Sequence, residues 1–485
     1  MIRDNFQIFA LDMTQTYCKM TWYDFRNFLF PGIAAAGRIL LVLSVASAAA
    51  VSCVKDRLED PKFPDHIDNV LLMYAAGQNN LARDIGSNIN DFCAGGIPRG
   101  NDPSIFLCYQ KLAPSKTPAE SYLIRYYSHN GKTAADTVAE YPPEMPAAHA
   151  GTLRRVLEDA AELFPSPSYA LLFSSHATGW LPKGYYSNPG QYDSQGTAVT
   201  GTAESDDEAG SDDAAGPLQP AGWPGGWTPY FELQRDPALP PVKSIGQDYV
   251  TVNGADLSYE MDLKEFSDAI PMYLDYIFFD CCLMGGIEVA YELRDKCGKI
   301  IFSPAEVIST GFDYRTMAAK LLGGATPDLA GVCRDYYQFY ANHAGGQAWR
   351  SATVTLVDCS RLGPVADICR RIFSRNEEGL SAIDPDSVQR YYTGNCHWFY
   401  DLYDMSAKAG ASDAELRELG TALDGCILYK AATDTFLTGP GSSPGYGFEI
   451  STYSGFSTYL PCNGSDYLDA AYKDLDWNDA TGLVM

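Results

Sequence analysis

The stretch Tyr276-Ile-Phe-Phe-Asp280-Cys281-Cys282-Leu283-Met284-Gly285-Gly286-Ile287-Glu288 decides how the chain is read. Ile277, Phe278 and Phe279 form the short apolar run that a strand buried on both faces needs. The run stops at an acid, two thiols and a glycine pair, and from Ile287 the pattern Ile-Glu-Val-Ala-Tyr-Glu-Leu-Arg reads as a helix. A strand that ends in polar, reactive residues before a helix puts them at the carboxyl edge of a sheet. Open α/β sheets keep their sites there.

A second stretch has the same form. Tyr169-Ala-Leu-Leu-Phe-Ser-Ser175 is strand-like, and His176-Ala-Thr-Gly-Trp180 follows it at once. If the two strands lie parallel in one sheet, His176 and Cys282 reach the same edge although 106 residues separate them. A thiol beside an imidazole is the minimum set for nucleophilic acyl transfer. The imidazole keeps the sulfur as thiolate and later protonates the leaving amine.

Outward from these two stretches, strands and helices alternate. Asn69 to Ala76 is a strand turned by Gly77-Gln-Asn-Asn80, Ser121 to Tyr127 is another, and Leu153 to Leu163 has helical spacing. Lys299-Ile-Ile-Phe-Ser303 is a further strand. The alternation predicts an α/β fold, a mainly parallel sheet with helices on both faces. After Phe312 the pattern mixes helices (317–322, 332–341, 361–373) with strands (351–357, 445–450, 455–460). Residues 315–485 are therefore expected as a C-terminal α+β portion packed on the sheet.

From 181 to about 247 the alternation breaks. The stretch is rich in Gly, Pro, Ser and Asp, and Glu204-Ser-Asp-Asp-Glu-Ala-Gly-Ser-Asp-Asp213 is its acidic centre. An insertion this long is a solvated loop, a lid or a cleavable linker. Calcium is conceivable there, although the spacing is not that of an EF-hand; no other cofactor is called for.

The chain carries 35 basic and 61 acidic side chains, a formal charge of −26. Such a surface repels phosphate backbones, which argues against nucleic acid as a partner. Ile39 to Ser52 is an uncharged apolar run preceded by Arg38 and ended by Cys53. It has signal-peptide geometry and is short for a membrane span; a buried N-terminal helix is the competing reading. Small residues just before a cysteine resemble a bacterial lipobox, with Cys53 as the lipidated residue. The expected organisation is a signal peptide over 1–52, a tether over 53–66, a catalytic domain over 67–314 and the C-terminal portion. Of 13 cysteines, eleven lie beyond Cys53, and an odd number outside the cytosol fits at least one thiol kept free. The histidines His66, His129, His149, His343 and His397 lack a paired motif and are expected to be structural.

Ser174-Ser-His176-Ala-Thr-Gly-Trp180 together with Phe279-Asp-Cys-Cys-Leu-Met-Gly285 resembles the clostripain-type cysteine peptidases, family C11. In that family one strand ends in His-Gly-x-Gly-Trp and another in Asp-Ala-Cys-Leu-Met-Gly. Asn79-Asn80-Leu81 and Ser303-Pro-Ala-Glu306 also look similar, so the likeness runs over about 69–314. The lipobox and the Gly455-Phe-Ser-Thr-Tyr-Leu460-Pro461 tail look like lipoprotein members from gut Bacteroidetes.

The resemblance implies a caspase-like fold and a His176–Cys282 dyad. Cys281 falls in the family's alanine position and is expected as a small core residue. The oxyanion hole would come from the backbone N–H groups of Cys282 and Ala177. Each such donor contributes roughly 3 kcal/mol to transition-state stabilisation. Two positions depart from the family. Ala177 stands where the family has glycine, and its methyl restricts φ. Members that cut after Arg or Lys carry an acid just before a Gly-Phe or Gly-Trp element, where this chain has Thr310. A threonine does not neutralise a buried cation, and Asp313 is the nearby substitute. The family's self-cleavage loop corresponds to 181–247, with Lys183 the basic residue near its start. The expectation is a lipid-anchored cell-envelope endopeptidase, an outer-membrane lipoprotein, acting on peptide or protein through a thioester acyl-enzyme. The membrane is touched only through the lipid, and the oligomeric state is open. The competing reading is an inactive surface lipoprotein that binds peptide or glycan; an amidase would share the mechanism.

Overall fold

A computed structural model describes residues 63–186, 189–194, 245–252, 255–324, 326–344, 349–392, 398–436 and 447–485. Cys53 with the signal-peptide stretch, the acidic centre of the insertion and His397 lie outside the described residues. The strands are β1 (Asn69–Gly77), β2 (Ser104–Leu112), β3 (Ser121–His129), β4 (Lys132–Tyr141), β5 (Tyr169–Ser174), β6 (Ile245–Val252), β7 (Ala255–Met261) and β8 (Leu274–Asp280). They continue with β9 (Cys297–Phe302), β10 (Thr353–Asp358), β11 (Tyr400–Asp401) and β12 (Ile427–Ala432). Nine of them form one sheet in the order β12-β10-β9-β8-β5-β1-β2-β3-β4. The five central strands, β9 to β2, are mutually parallel. Antiparallel strands flank them on both sides. This is the mixed, mostly parallel α/β sheet expected from the alternation.

The unbroken apolar runs follow from burial on both faces. Along β1, Val70, Leu72, Tyr74 and Ala76 enter one core, while Leu71, Met73 and Ala75 enter the other. β8 alternates likewise, with Ile277 and Phe279 on the first face and Tyr276 and Phe278 on the second. Successive strand side chains point to opposite faces, so a strand covered on both sides needs no polar alternation. The helix Ala150–Leu163 covers the first face through Leu153, Val156, Leu157 and Ala160. The helices Ala82–Ala94, Tyr314–Leu322 and Leu329–Ala341 cover the second, with Phe92, Met317 and Tyr336 among their buried residues.

Two features go beyond the sequence reading. Residues 63–485 form one compact unit, and β10 and β12, from the portion expected to pack on the sheet, extend the sheet itself. Where the long insertion ends, at Ile245, the chain enters the hairpin of β6 and β7.

Asp280 closes β8 and ties down the loop that follows β9. Its Oδ2 accepts from the Tyr314 hydroxyl at 2.6 Å and from the Ser174 hydroxyl at 3.3 Å. Gly311 sits at φ +71° directly above, where a Cβ would come within 2.7 Å of that oxygen, so the carboxylate and the glycine turn require each other. Burial pushes the Asp280 carboxyl up to about 6, against the opposing hydrogen bonds. A carboxyl whose pKa is raised in the folded state binds its proton more tightly there than in the unfolded chain. Stability from this group therefore falls as pH rises from about 4 to about 6, by on the order of 2–3 kcal/mol. Urea unfolding at pH 4 and pH 7 should show Asp280→Asn losing that much less stability over the interval than the parent chain. An equal loss in both would show that Asp280 is not the responsible group.

Candidate active site

The pairing of β5 with β8 builds the site. Their register joins Ala170 to Tyr276, Leu172 to Phe278 and Ser174 to Asp280, a constant offset of 106 residues. His176 and Cys282 have that same offset, each two residues beyond its strand. The parallel ladder thus delivers both residues to neighbouring turns at the carboxyl edge. The turns touch: a Cβ on Gly179 would lie 2.5 Å from the Leu283 carbonyl oxygen. Gly179 itself is left-handed at φ +61°, so only glycine fits there without strain.

His176 is nearly buried, at 6% exposure. Its Nε2 lies 2.7 Å from the Asn80 Oδ1. Asn80 sits in the turn after β1, the strand on the other side of β5. That turn is fixed by Asn79, whose Nδ2 donates to the carbonyl oxygens of Ala76 and Gln247 at 3.2 and 2.8 Å and whose Oδ1 accepts from Leu81 N. The motif position of Asn79-Asn80 was visible in the sequence, but not that Asn80 is the partner of the imidazole.

Cys282 is half-buried and points at the loop after β9. Its Sγ donates to the Val307 carbonyl oxygen at 3.5 Å and accepts from the Val307 N–H at 3.3 Å. Burial first, and then the Glu306 carboxylate, push its thiol up to about 12. In this resting arrangement the sulfur is protonated at neutral pH. Leu283, the next residue, is left-handed at φ +60°, a strained geometry for a residue with a branched side chain. It is held by its N–H to Ala305 O at 3.0 Å. Cys281 points the other way, into the core, with its thiol 3.4 Å from the Phe173 carbonyl oxygen. Glu306 and Val307 as neighbours of the sulfur were not found from the sequence; the only signal was the Ser-Pro-Ala-Glu segment ending a parallel strand next to β8.

The helix that follows, Ile287–Glu292, carries a fully buried carboxylate. Glu288 Oε1 accepts from the Thr458 hydroxyl (2.8 Å), Tyr459 N–H (3.0 Å) and Tyr472 hydroxyl (2.7 Å). The Ser457 N–H donates to Gly285 O at 2.9 Å. Residues of the C-terminal portion thereby clamp the turn that holds Cys282.

The remaining expected residues fall around this edge. Ala177 is fully buried in the core. Thr310 is exposed, next to Gly311, whose carbonyl oxygen accepts from the Tyr340 hydroxyl at 2.7 Å. Asp313 caps the helix Tyr314–Leu322, its side chain accepting from Thr316 N. Lys183 donates to Glu265 at 2.6 Å and lies 3.7 Å from Asp262, while its N–H donates to Asp262. Of the other histidines, His149 caps the helix Ala150–Leu163 through Nδ1. His343 stacks on Trp349. Among the described residues no cluster of three or more His, Cys, Asp or Glu side chains suits a metal ion.

The sequence profile of the clostripain family matches residues 230–472. That span takes in Cys282 and the C-terminal clamp and begins after His176. A search of curated proteins found no match. Among solved structures, the chain is similar to an inactive zymogen C11 protease from Parabacteroides distasonis. The identity is 21% and the TM-score 0.64, over 87% of this chain and 99% of that one. It is also similar to a secreted C11 cysteine protease from Bacteroides thetaiotaomicron, at 21% identity and TM-score 0.62 over 86% and 99% of the two chains. A secreted C11 cysteine protease from the same organism, solved in complex with an irreversible peptide inhibitor, matches at 21% identity and TM-score 0.63 over 86% and 99% of the two chains. These likenesses carry the caspase-like α/β fold, and the profile carries the family: this chain belongs to the clostripain family of cysteine peptidases.

Proposed function

We propose that this chain is a cysteine endopeptidase whose nucleophile is Cys282 and whose proton carrier is His176. The observation that carries the reading is the shared 106-residue offset of strand register and residue pair. In the proposed reaction the Cys282 thiol gives its proton to His176, and Sγ bonds to the peptide carbonyl carbon. The oxyanion forms against the N–H groups of Cys282 and Ala177. The C–N bond breaks as the imidazolium returns the proton to the leaving amine. Water, deprotonated by His176, then opens the thioester and frees the acid. Asn80 holds the imidazole through Nε2.

For this to happen Sγ turns away from Val307, where Glu306 disfavours the thiolate. The resting contact is also what favours the second reading, a clostripain-like protein that binds peptide without cutting it. Neither Thr310, which is neutral, nor Asp313, which caps a helix, supports a strong preference for Arg or Lys at the cleaved position. Lys183, paired with two carboxylates, is a poor site for self-cleavage. We further propose attachment to the cell envelope through lipid on Cys53, on the strength of the apolar run ending at that residue.

Three measurements test these statements. Peptide acyloxymethyl ketones varied at P1 should label one cysteine, with labelling abolished in Cys282→Ala and slowed roughly a hundredfold in His176→Ala. An unlabelled Cys282 in folded protein would favour the binding module. Iodoacetamide labelling of the resting enzyme should accelerate about tenfold per pH unit from pH 6 to 9 and be several-fold faster in Glu306→Gln, because removing the carboxylate lowers the thiol pKa. A rate independent of pH would mean that the sulfur is already ionised. Cys53→Ala should move the protein from the membrane to the soluble fraction of its host cells; unchanged fractionation would remove the lipid anchor.

A further inference from the structure

Strand β6 runs across the carboxyl ends of three sheet strands and bonds to each of them. At β5, the Gly246 N–H donates to the His176 carbonyl oxygen at 3.0 Å and the Gln247 N–H to the Ser175 hydroxyl at 3.2 Å. At β1, the Tyr249 N–H donates to Gln78 O at 2.9 Å, and Gln247 O accepts from Asn79 Nδ2 at 2.8 Å. At β2, Asp248 lies 3.7 Å from Lys111 Nζ, the two side chains being 0% and 1% exposed. Lys111 Nζ also donates to the carbonyl oxygens of Pro143 (2.9 Å) and Met145 (2.5 Å), and Asp248 accepts from the Ala147 N–H at 2.5 Å. Gly246 makes the crossing possible. It is left-handed at φ +76°, and a Cβ there would meet Ala148 at 3.1 Å.

A fully buried ion pair is a poor source of net stability, because removing two charges from water offsets most of their attraction. What it does well is exclude alternatives. Asp248 has one place where its charge is matched, and shifting β6 by a residue would send the carboxylate to the opposite face of the strand, away from Lys111. The same shift would misalign Gly246 with His176 and Gln247 with Asn79.

We propose that Lys111 and Asp248 are positioning residues for the reaction. Their pairing fixes the register of β6, and β6 in turn fixes the main chain at His176 and the Asn79–Asn80 turn that holds the imidazole. The inference rests on the reading of His176 and Cys282 as the reacting pair. Neither Lys111 nor Asp248 touches the reacting atoms; both act through the backbone of β6.

The test compares Asp248→Asn with the double variant Lys111→Met/Asp248→Asn. Each is measured for thermal unfolding, inactivation by the mixed-P1 acyloxymethyl ketones, iodoacetamide labelling of Cys282, and hydrogen–deuterium exchange. Asp248→Asn should lower the melting temperature, and the double variant, with no stranded charge, should recover most of it. Inactivation by the ketones should fall roughly tenfold or more in both variants. Iodoacetamide labelling needs an accessible thiolate but no docked peptide, and the Cys282 thiol is governed by burial and Glu306, so its rate should stay within about twofold of the parent. Exchange should rise over residues 174–180 and 245–252 and stay unchanged over 353–358. The proposal is overturned if inactivation recovers together with melting temperature in the double variant, or if exchange over 174–180 does not change. A parent chain that fails to react with the ketones sinks the dyad reading instead, and the exchange result alone then decides whether the ion pair positions this turn.

Discussion

The in-register hydrogen bonding of β5 with β8 is the constraint on which the rest depends. A parallel ladder fixes not only which strands are neighbours but which residue of one lies beside which residue of the other. Once Ser174 is set against Asp280, the turns beyond them are adjacent by construction. The hydrophobic alternation on both faces makes a slip costly, since a one-residue shift would exchange the residues of two separate cores. The site is therefore as precise as the packing of Phe173, Phe278 and Phe279, all of which are fully buried.

Around that ladder the loops are held by acids that the interior can barely tolerate. Asp280 anchors Gly311 and Tyr314, Glu288 gathers the C-terminal portion, and Asp248 meets Lys111. Burial raises the carboxyl pKa of all three. In each, donors gather on one oxygen while the second oxygen is buried without a hydrogen-bond partner among the described residues, so the acid is only half compensated for its burial. The arrangement trades some stability for definite loop geometry at one edge of the sheet. The strain at Leu283 beside Cys282 is sustained in the same way, by the neighbours that hold its backbone.

Much of this was legible in the sequence. The runs at 69–76, 169–175 and 276–280 became β1, β5 and β8 because strands buried on both faces must be continuously apolar. β2 escaped because Ser104-Ile-Phe-Leu-Cys-Tyr-Gln-Lys-Leu112 carries Gln110 and Lys111 near its end, and Lys111 in particular argues against burial until its partner 137 residues away is known. The hairpin of β6 and β7 escaped because it emerges from a stretch of loop-like composition, and Asp248 and Gly246 look like parts of that loop. At the site, His176 and Cys282 stood out by motif. Asn80, Glu306 and Val307 did not, because what they touch is decided by strand order, which no local pattern encodes. Asp313 shows the opposite case: an acid near a motif suggests a ligand, yet ahead of a helix its first use is to cap the exposed N–H groups.

The clamp on Glu288 has a consequence for biosynthesis. A polypeptide emerges from the ribosome amino end first, and β1, β5 and β8 are available long before Ser457 to Tyr472 have been made. Until those residues arrive, Glu288 lacks the Thr458, Tyr459 and Tyr472 donors, and the Gly285 carbonyl lacks its Ser457 partner. A nascent or prematurely terminated product would carry Cys282 in an unfinished turn, beside an acid that still relies on water for its hydrogen bonds. The turn that carries Cys282 is thus completed only once residues 457–472 have been delivered.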